Sequence, residues 1–268
     1  IIKKKYLNFF RKIFDSLYKF ILRYIKHTLL IGITNLDNPK EKYLYQLKLD
    51  DLFIRFNCDK GPFCIWNKKK VFTHKYSFFY EKYFSKIKNK KLKILELGSH
   101  EGRGIASFYY YFSNAHFYGA NINPFQMIYK SDRVTELFVD VASEEILNNL
   151  VHHLNFDFDI IIDDASHNLR DILITFPIFF KKLKTNGVYV IEDLDQFHVF
   201  KELNPYVKEL TPKEILLKIK NKKNFQSSFI NTYQKNFLVG NIKNIYLEKG
   251  SMFIKKKNVS DIAFIEKK

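Results

Sequence analysis

Cysteine is nearly missing from this chain: 268 residues hold two, Cys58 and Cys64. Two thiols this few cannot build a disulfide framework, and no clustered His completes a structural zinc set with them. They read as small hydrophobic side chains in a reducing compartment. Glycine and proline are scarce as well, at nine and six, which excludes collagen-like and low-complexity classes. With 46% hydrophobic and 27% charged residues, whole-chain disorder is excluded too. No apolar run reaches the roughly 18–20 residues of a membrane span before Lys, Asp or Asn breaks it. Acid is in short supply against base, 28 Asp and Glu to 45 Lys and Arg, for a net charge of +17. Such a surplus suits an anionic partner. Lys, Asn, Ile, Phe and Tyr are over-used along the whole chain, however, and no RNA- or DNA-binding signature accompanies them. The charge therefore reads as compositional bias, and no nucleic-acid partner is expected.

What is present divides the chain into an N-terminal extension, 1–56, and a main domain, 57–268. Residues 1–33 carry Phe10, Phe14, Leu17, Ile21, Tyr24 and Ile25 at helical spacing between Lys and Arg. A helix packed on its own domain has this pattern, and so does one lying on an anionic membrane surface. The periodicity and the lack of a small-residue cleavage site argue against a signal peptide. Residues 40–70 read as a helix and then an irregular loop around Asp59-Lys60-Gly61-Pro62, and 73–88 as a core-facing helix. From residue 92 short apolar runs alternate with helical stretches: LKILELG, 101–113, HFYGANI, TELFVDV, 143–154, FDIIIDDAS, 168–183 and GVYVIEDL. This alternation predicts an α/β fold with a parallel sheet covered on both faces. Residues 204–240 are lysine-rich and poorly periodic. NIKNIYLEKGSMFIKKK predicts a terminal antiparallel hairpin turning at Glu248-Lys249-Gly250. The aromatic segment 106–112 suits either a subunit interface in a homo-oligomer or a buried helix.

Three segments carry chemistry. In ILELGSHEGRG a buried strand runs into Glu96-Leu97-Gly98, and Gly102 and Gly104 open the next helix. Open α/β sheets bind ligands at the carboxyl ends of their strands, so this loop is a nucleotide-type site. Its spacing is not GxGxxG, and Glu96 would repel a dinucleotide phosphate but accept from the amino group of a cationic ligand. DIIIDDASH delivers Asp163, Asp164, Ser166 and His167 to a strand end, and VYVIEDL delivers Glu192 and Asp193 to the same edge. Like charges packed so closely need a shared cation or proton. A hard, oxygen-liganded divalent ion such as Mg2+ answers that need, whereas Asp163 or Ser166 can also serve as a helix cap.

Together with Asp59-Lys60-Gly61, His74-Lys75-Tyr76 and Tyr80-Glu81, these motifs resemble the class I S-adenosylmethionine-dependent methyltransferases. Within that class the DDxSH and GxYxIEDL pair is similar to the metal-dependent sugar O-methyltransferases of the macrocin, mycinamicin and rhamnosyl-tetracenomycin type. The cephalosporin-hydroxylase-like family is a close relation. The resemblance covers residues 57–256 and implies a Rossmann-like methyltransferase fold of seven strands. It implies that Glu96, Gly98 and Gly102 line the S-adenosylmethionine site with Asp163, and that Asp140 meets the adenine. It implies further that Asp164, Glu192 and Asp193 hold Mg2+, and that His167 is the general base beside Asp164. Lys60, His74 and Tyr76 match an N-terminal motif that closes the cofactor site. Asn121 stands where the family has an Asp for the ribose hydroxyls, a departure that predicts weaker cofactor affinity.

The expected activity is methyl transfer to a sugar hydroxyl, on a nucleotide sugar or a glycan of a surface-polysaccharide pathway, in the cytoplasm or at a membrane surface through residues 1–33. A non-sugar diol as acceptor, or an RNA-binding protein that has kept the fold, are the alternatives.

Overall fold

The structure, a computed structural model, describes residues 21, 32–194, 196–206, 208–254 and 257–268. Apart from residues 21, 32 and 33, the amphipathic stretch 1–33 lies outside the described residues. The strands in chain order are β1 (Thr34–Asn35), β2 (Phe63–Trp66), β3 (Lys69–Phe72), β4 (Lys93–Leu97), β5 (His116–Asn121), β6 (Tyr129–Lys130), β7 (Val134–Phe138), β8 (Phe158–Asp163), β9 (Leu183–Ile191), β10 (Ile242–Lys249), β11 (Phe253–Ile254), β12 (Lys257–Asn258) and β13 (Asp261–Lys267). The α-helices are α1 (Leu49–Arg55), α2 (Ser77–Phe84), α3 (Arg103–Tyr111), α4 (Glu144–His153), α5 (Leu169–Phe180), α6 (Pro212–Lys220) and α7 (Thr232–Asn241).

Seven strands form one sheet in the order β10-β13-β9-β8-β4-β5-β7, parallel from β9 to β7 and antiparallel at β13. Its central strands are apolar on both faces, and their side chains alternate between two cores. In β8, Phe158 and Ile161 pack with α5, α6 and α7, while Ile160 and Ile162 pack with α1, α2 and α3. Residues 34–56 join the second core through Leu36, Leu44, Leu49, Leu52, Phe53 and Phe56. Segment 106–112 is buried inside this chain, its rings packed in that same core, so the buried-helix alternative holds there.

Three expectations change. The hairpin partner of β10 is β13, not residues 251–257, and β11 with β12 forms a separate two-stranded ribbon. The reason is burial: the slot between β10 and β9 takes Ile262-Ala263-Phe264-Ile265, all fully buried, whereas 251–257 carries three consecutive lysines. Residues 204–240, which looked irregular, hold α6 and α7. Each opens on a capping box, Thr211 with Glu214 and Asn231 with Gln234, that satisfies the first free N–H groups. Residues 63–72, read as loop, form the hairpin β2–β3. Its turn residues Asn67 and Lys68 both have positive φ, 48° and 62°, as a tight hairpin requires, and the Lys in place of the usual Gly hid it.

Candidate active site

Parallel register aligns Leu97 of β4 with Asp163 of β8, and Asp163 with Ile191 of β9. The next residues, Gly98, Asp164 and Glu192, therefore leave the sheet side by side at its carboxyl edge. Gly98 is required there: its φ is +84°, and a Cβ would lie 2.1 Å from the carbonyl oxygen of Asp164. Gly104 is held to glycine by Glu96, whose Oε1 would stand 2.5 Å from an added Cβ. The two loops thus meet backbone to backbone, and Glu96 lies under the first turn of α3.

Two cations from the segment 59–76 reach into this acidic edge. Lys60, only 3% exposed, places Nζ 2.5 Å from Asp164 Oδ2, 2.7 Å from Glu192 Oε2 and 3.5 Å from Glu96 Oε1. Burial pulls its pKa down, but the three carboxylates more than reverse that, so Lys60 stays an ammonium. His74 Nδ1 stands 3.1 Å from Asp193 Oδ1, and the Tyr76 hydroxyl donates to the same oxygen at 2.6 Å. Burial would lower the His74 pKa, yet Asp193 raises it to about 9. Asp193, which burial alone would raise, is drawn down to about 2, chiefly by His74. Burial raises the other acids of the cluster, Glu96 and Asp163 each to about 7, and Asp164 and Glu192 too although Lys60 opposes it there. Tyr80, in α2, donates its hydroxyl to Glu192 Oε1.

A cavity of about 880 Å3 opens over this edge. Of the residues expected to bind cofactor, Lys60, Glu96, Gly98, Asn121 and Asp140 line it, as do Asp164 and His167. His74, Tyr76, Gly102, Asp163, Glu192 and Asp193 are not among the residues that line it. Asp163 turns away to accept the Tyr189 hydroxyl at 3.1 Å, which places it with the far core. Asn121 donates to the His100 carbonyl at 3.4 Å, and Asp140 accepts from Ala142 N at 3.0 Å, closing the turn after β7. Ile65, Trp66 and Asn67, from the unforeseen hairpin, complete one rim.

His167 Nε2 faces Asp164 Oδ1 at 3.6 Å and Asp193 Oδ2 at 3.8 Å. Among the described residues Asp164, His167 and Asp193 form the one group whose ligand atoms all lie within 4.8 Å of one another. Glu192 is outside that group, its carboxylate held by Lys60 and Tyr80. The two carboxylates suit a hard divalent ion and fit Mg2+ or Mn2+, with the His167 imidazole beside them. For a nucleoside cofactor the fit rests on the cavity's volume and on Glu96, whose Oε2 is buried without a hydrogen-bond partner among the described residues. Sequence reasoning gave Lys60, His74 and Tyr76 to the closing of the cofactor site; Lys60 lines the cavity, and all three also contact the carboxylates. The missed residues are Tyr80, Tyr189 and Gln196, which donates to Asp193 Oδ2 at 2.5 Å. Tyr80 and Tyr189 sat in the Tyr80-Glu81 and GVYVIEDL motifs without a role, and Gln196 sat in none.

No family model matches the chain. Over 128 residues it is 27% identical to the 8-demethyl-8-alpha-L-rhamnosyl tetracenomycin-C 2'-O-methyltransferase of Streptomyces olivaceus, covering 45% of this chain and 33% of that protein. Demethylmacrocin O-methyltransferase of Streptomyces fradiae is also 27% identical, over 45% of this chain and 32% of its own length. The match spans about a third of these curated relatives. Among solved structures, the MycE methyltransferase of the mycinamycin pathway, in complex with Mg and SAH, superposes with a TM-score of 0.61. That alignment has 21% identity and covers 82% of this chain and 55% of the other. The chain is a sequence relative of sugar O-methyltransferases and carries the Rossmann-like methyltransferase fold.

Proposed function

We propose that this chain is an S-adenosylmethionine-dependent, Mg2+-assisted O-methyltransferase whose acceptor is a sugar hydroxyl, on a nucleotide sugar or in a glycan. The observation that carries the reading is a single cavity lined by both the Gly98 loop with Glu96 and the Asp164–His167 pair, with Asp193 beside that pair. The name of one relative, a rhamnosyl tetracenomycin-C 2'-O-methyltransferase, supports a sugar as acceptor.

When bound, S-adenosylmethionine supplies an electrophilic methyl group, and a divalent ion supplies Lewis acidity that lowers the pKa of a nearby hydroxyl. Everything else falls to the chain's own residues. Gly98 lets the Asp164 backbone close against the cofactor loop, and Glu96 offers its free oxygen to a cationic amino group. Asp164 and Asp193 are the metal-holding carboxylates with His167 adjacent, while Glu192, held by Lys60, stands next in line. His167, with its Nε2 turned toward both Asp164 and Asp193, takes the acceptor proton, since a sugar hydroxyl is a poor nucleophile until that proton leaves. Asp140 and Asn121 flank the part of the cavity that suits an adenosine.

The test is transfer of a labelled methyl group from S-adenosylmethionine to a panel of nucleotide sugars and rhamnosides, with Mg2+ and with EDTA. Metal-dependent labelling of a sugar is the expected result. Turnover of aromatic diols with no sugar labelled would overturn the acceptor assignment.

A further inference from the structure

Lys60 is a buried ammonium placed where a metal-assisted site has the greatest need of positive charge. Its Nζ spans the gap between Asp164 Oδ2 and Glu192 Oε2 at 2.5 and 2.7 Å. Asp164 is also one of the three groups that converge to hold a metal, so Lys60 and a divalent ion draw on the same carboxylate. A second acceptor for the ammonium is already in place. Glu96 Oε1 lies 3.5 Å from Nζ, and Glu96 Oε2 is buried and unpartnered among the described residues. A buried carboxylate oxygen with no donor is costly, and a lysine within reach is its natural remedy.

We propose that Lys60 is a positioning residue that acts as a resident counter-ion. It fills the gap between Asp164 and Glu192 in the metal-free protein and shifts onto Glu96 when a divalent ion binds. Two properties follow. Four carboxylates, Glu96, Asp164, Glu192 and Asp193, stay assembled without metal because Lys60 and His74 neutralise part of their charge. Metal affinity is also set partly by the ease with which Lys60 moves, which links the cofactor carboxylate Glu96 to the metal end of the same cavity. Neutral side chains at either end of that shift should change metal affinity in opposite directions, which a purely structural role would not do.

This inference rests on the metal-assisted reading above, and its test keeps the two apart. The probe is Mn2+ alone, titrated into the full chain and followed by the loss of free-ion electron paramagnetic resonance signal. Lys60→Met removes the competing charge and should bind Mn2+ at least about tenfold more tightly than wild type, given the strength of charge interactions at such distances. Glu96→Gln removes the second acceptor and should weaken Mn2+ binding by about threefold or more. Lys60→Arg, which keeps the charge, should stay near wild type. Equal or weaker binding by Lys60→Met overturns the competition while leaving the metal reading intact. No Mn2+ binding by wild type or any variant overturns both. Where Lys60→Met fails to fold, Glu96→Gln decides alone, and unchanged affinity there rejects the shift.

Discussion

The carboxylates of the site come from strand ends, and the cations that hold them come from the segment 59–76, which packs across the same edge. The two regions are fixed by different forces. Glu96, Asp164 and Glu192 occupy their places because parallel register aligns β4, β8 and β9, whose neighbours are fully buried Leu, Ile and Val. Lys60, His74 and Tyr76 are placed by a few backbone hydrogen bonds, His74 N to Asp59 O at 3.2 Å and Tyr76 N to Lys60 O at 2.8 Å, together with the carboxylates themselves. Strand ends therefore form the acidic platform of the site, and the segment 59–76 is the cationic side that balances its charge.

That contrast ranks the consequences of substitution. On the platform, His167→Ala should lower kcat by about 10^2–10^4-fold and leave S-adenosylmethionine affinity unchanged. Steady-state kinetics beside a binding isotherm measures both. Gly98→Ala should destabilise the protein by about 2–4 kcal/mol in chemical denaturation, since it combines a left-handed φ of +84° with a Cβ 2.1 Å from the Asp164 carbonyl. On the cationic side, Tyr76→Phe leaves Asp193 without one buried donor and should cost about 1–3 kcal/mol, with a smaller effect on cofactor binding. A larger loss of activity from Tyr76→Phe than from His167→Ala would reverse the comparison.

The smallest expected effect is one of pH. His74 has its pKa raised to about 9 by Asp193 against the opposing effect of burial, so it binds its proton more tightly folded than unfolded. The stability it contributes is complete below its ordinary value of about 6.5 and is lost as pH rises through about 9. Between pH 7.5 and 8.5 the metal-free wild type should lose about 2–4 °C in Tm more than His74→Gln does. Parallel profiles for the two proteins would show that the His74–Asp193 pair does not contribute in this way.

Legibility in the sequence follows the same division. The strands ending in Leu97, Asp163 and Ile191 were readable because a run buried on both faces leaves a continuous apolar signal, and the motif acids sit at or beside the end of each run. The hairpin β2–β3 was not readable, because the turn Asn67-Lys68 lacks glycine and β3 is exposed throughout. The position of β13 was equally hidden: only pairing decides that the last strand enters between β9 and β10, and pairing is a property of register across distant segments. Among site residues, the carboxylates were legible as a set, but their division of labour was not. That Lys60 bridges Asp164 and Glu192 depends on a side chain delivered from 104 and 132 residues away in sequence.

The central claim is that the Gly98 loop and the Asp164–His167 edge are two parts of one methyl-transfer site. It is tested most directly by calorimetric titration of S-adenosylmethionine and of Mg2+ into wild type and Asp164→Ala. The account predicts saturable cofactor binding in both proteins and Mg2+ binding in wild type alone. Absence of cofactor heat in wild type, with and without Mg2+, would contradict it.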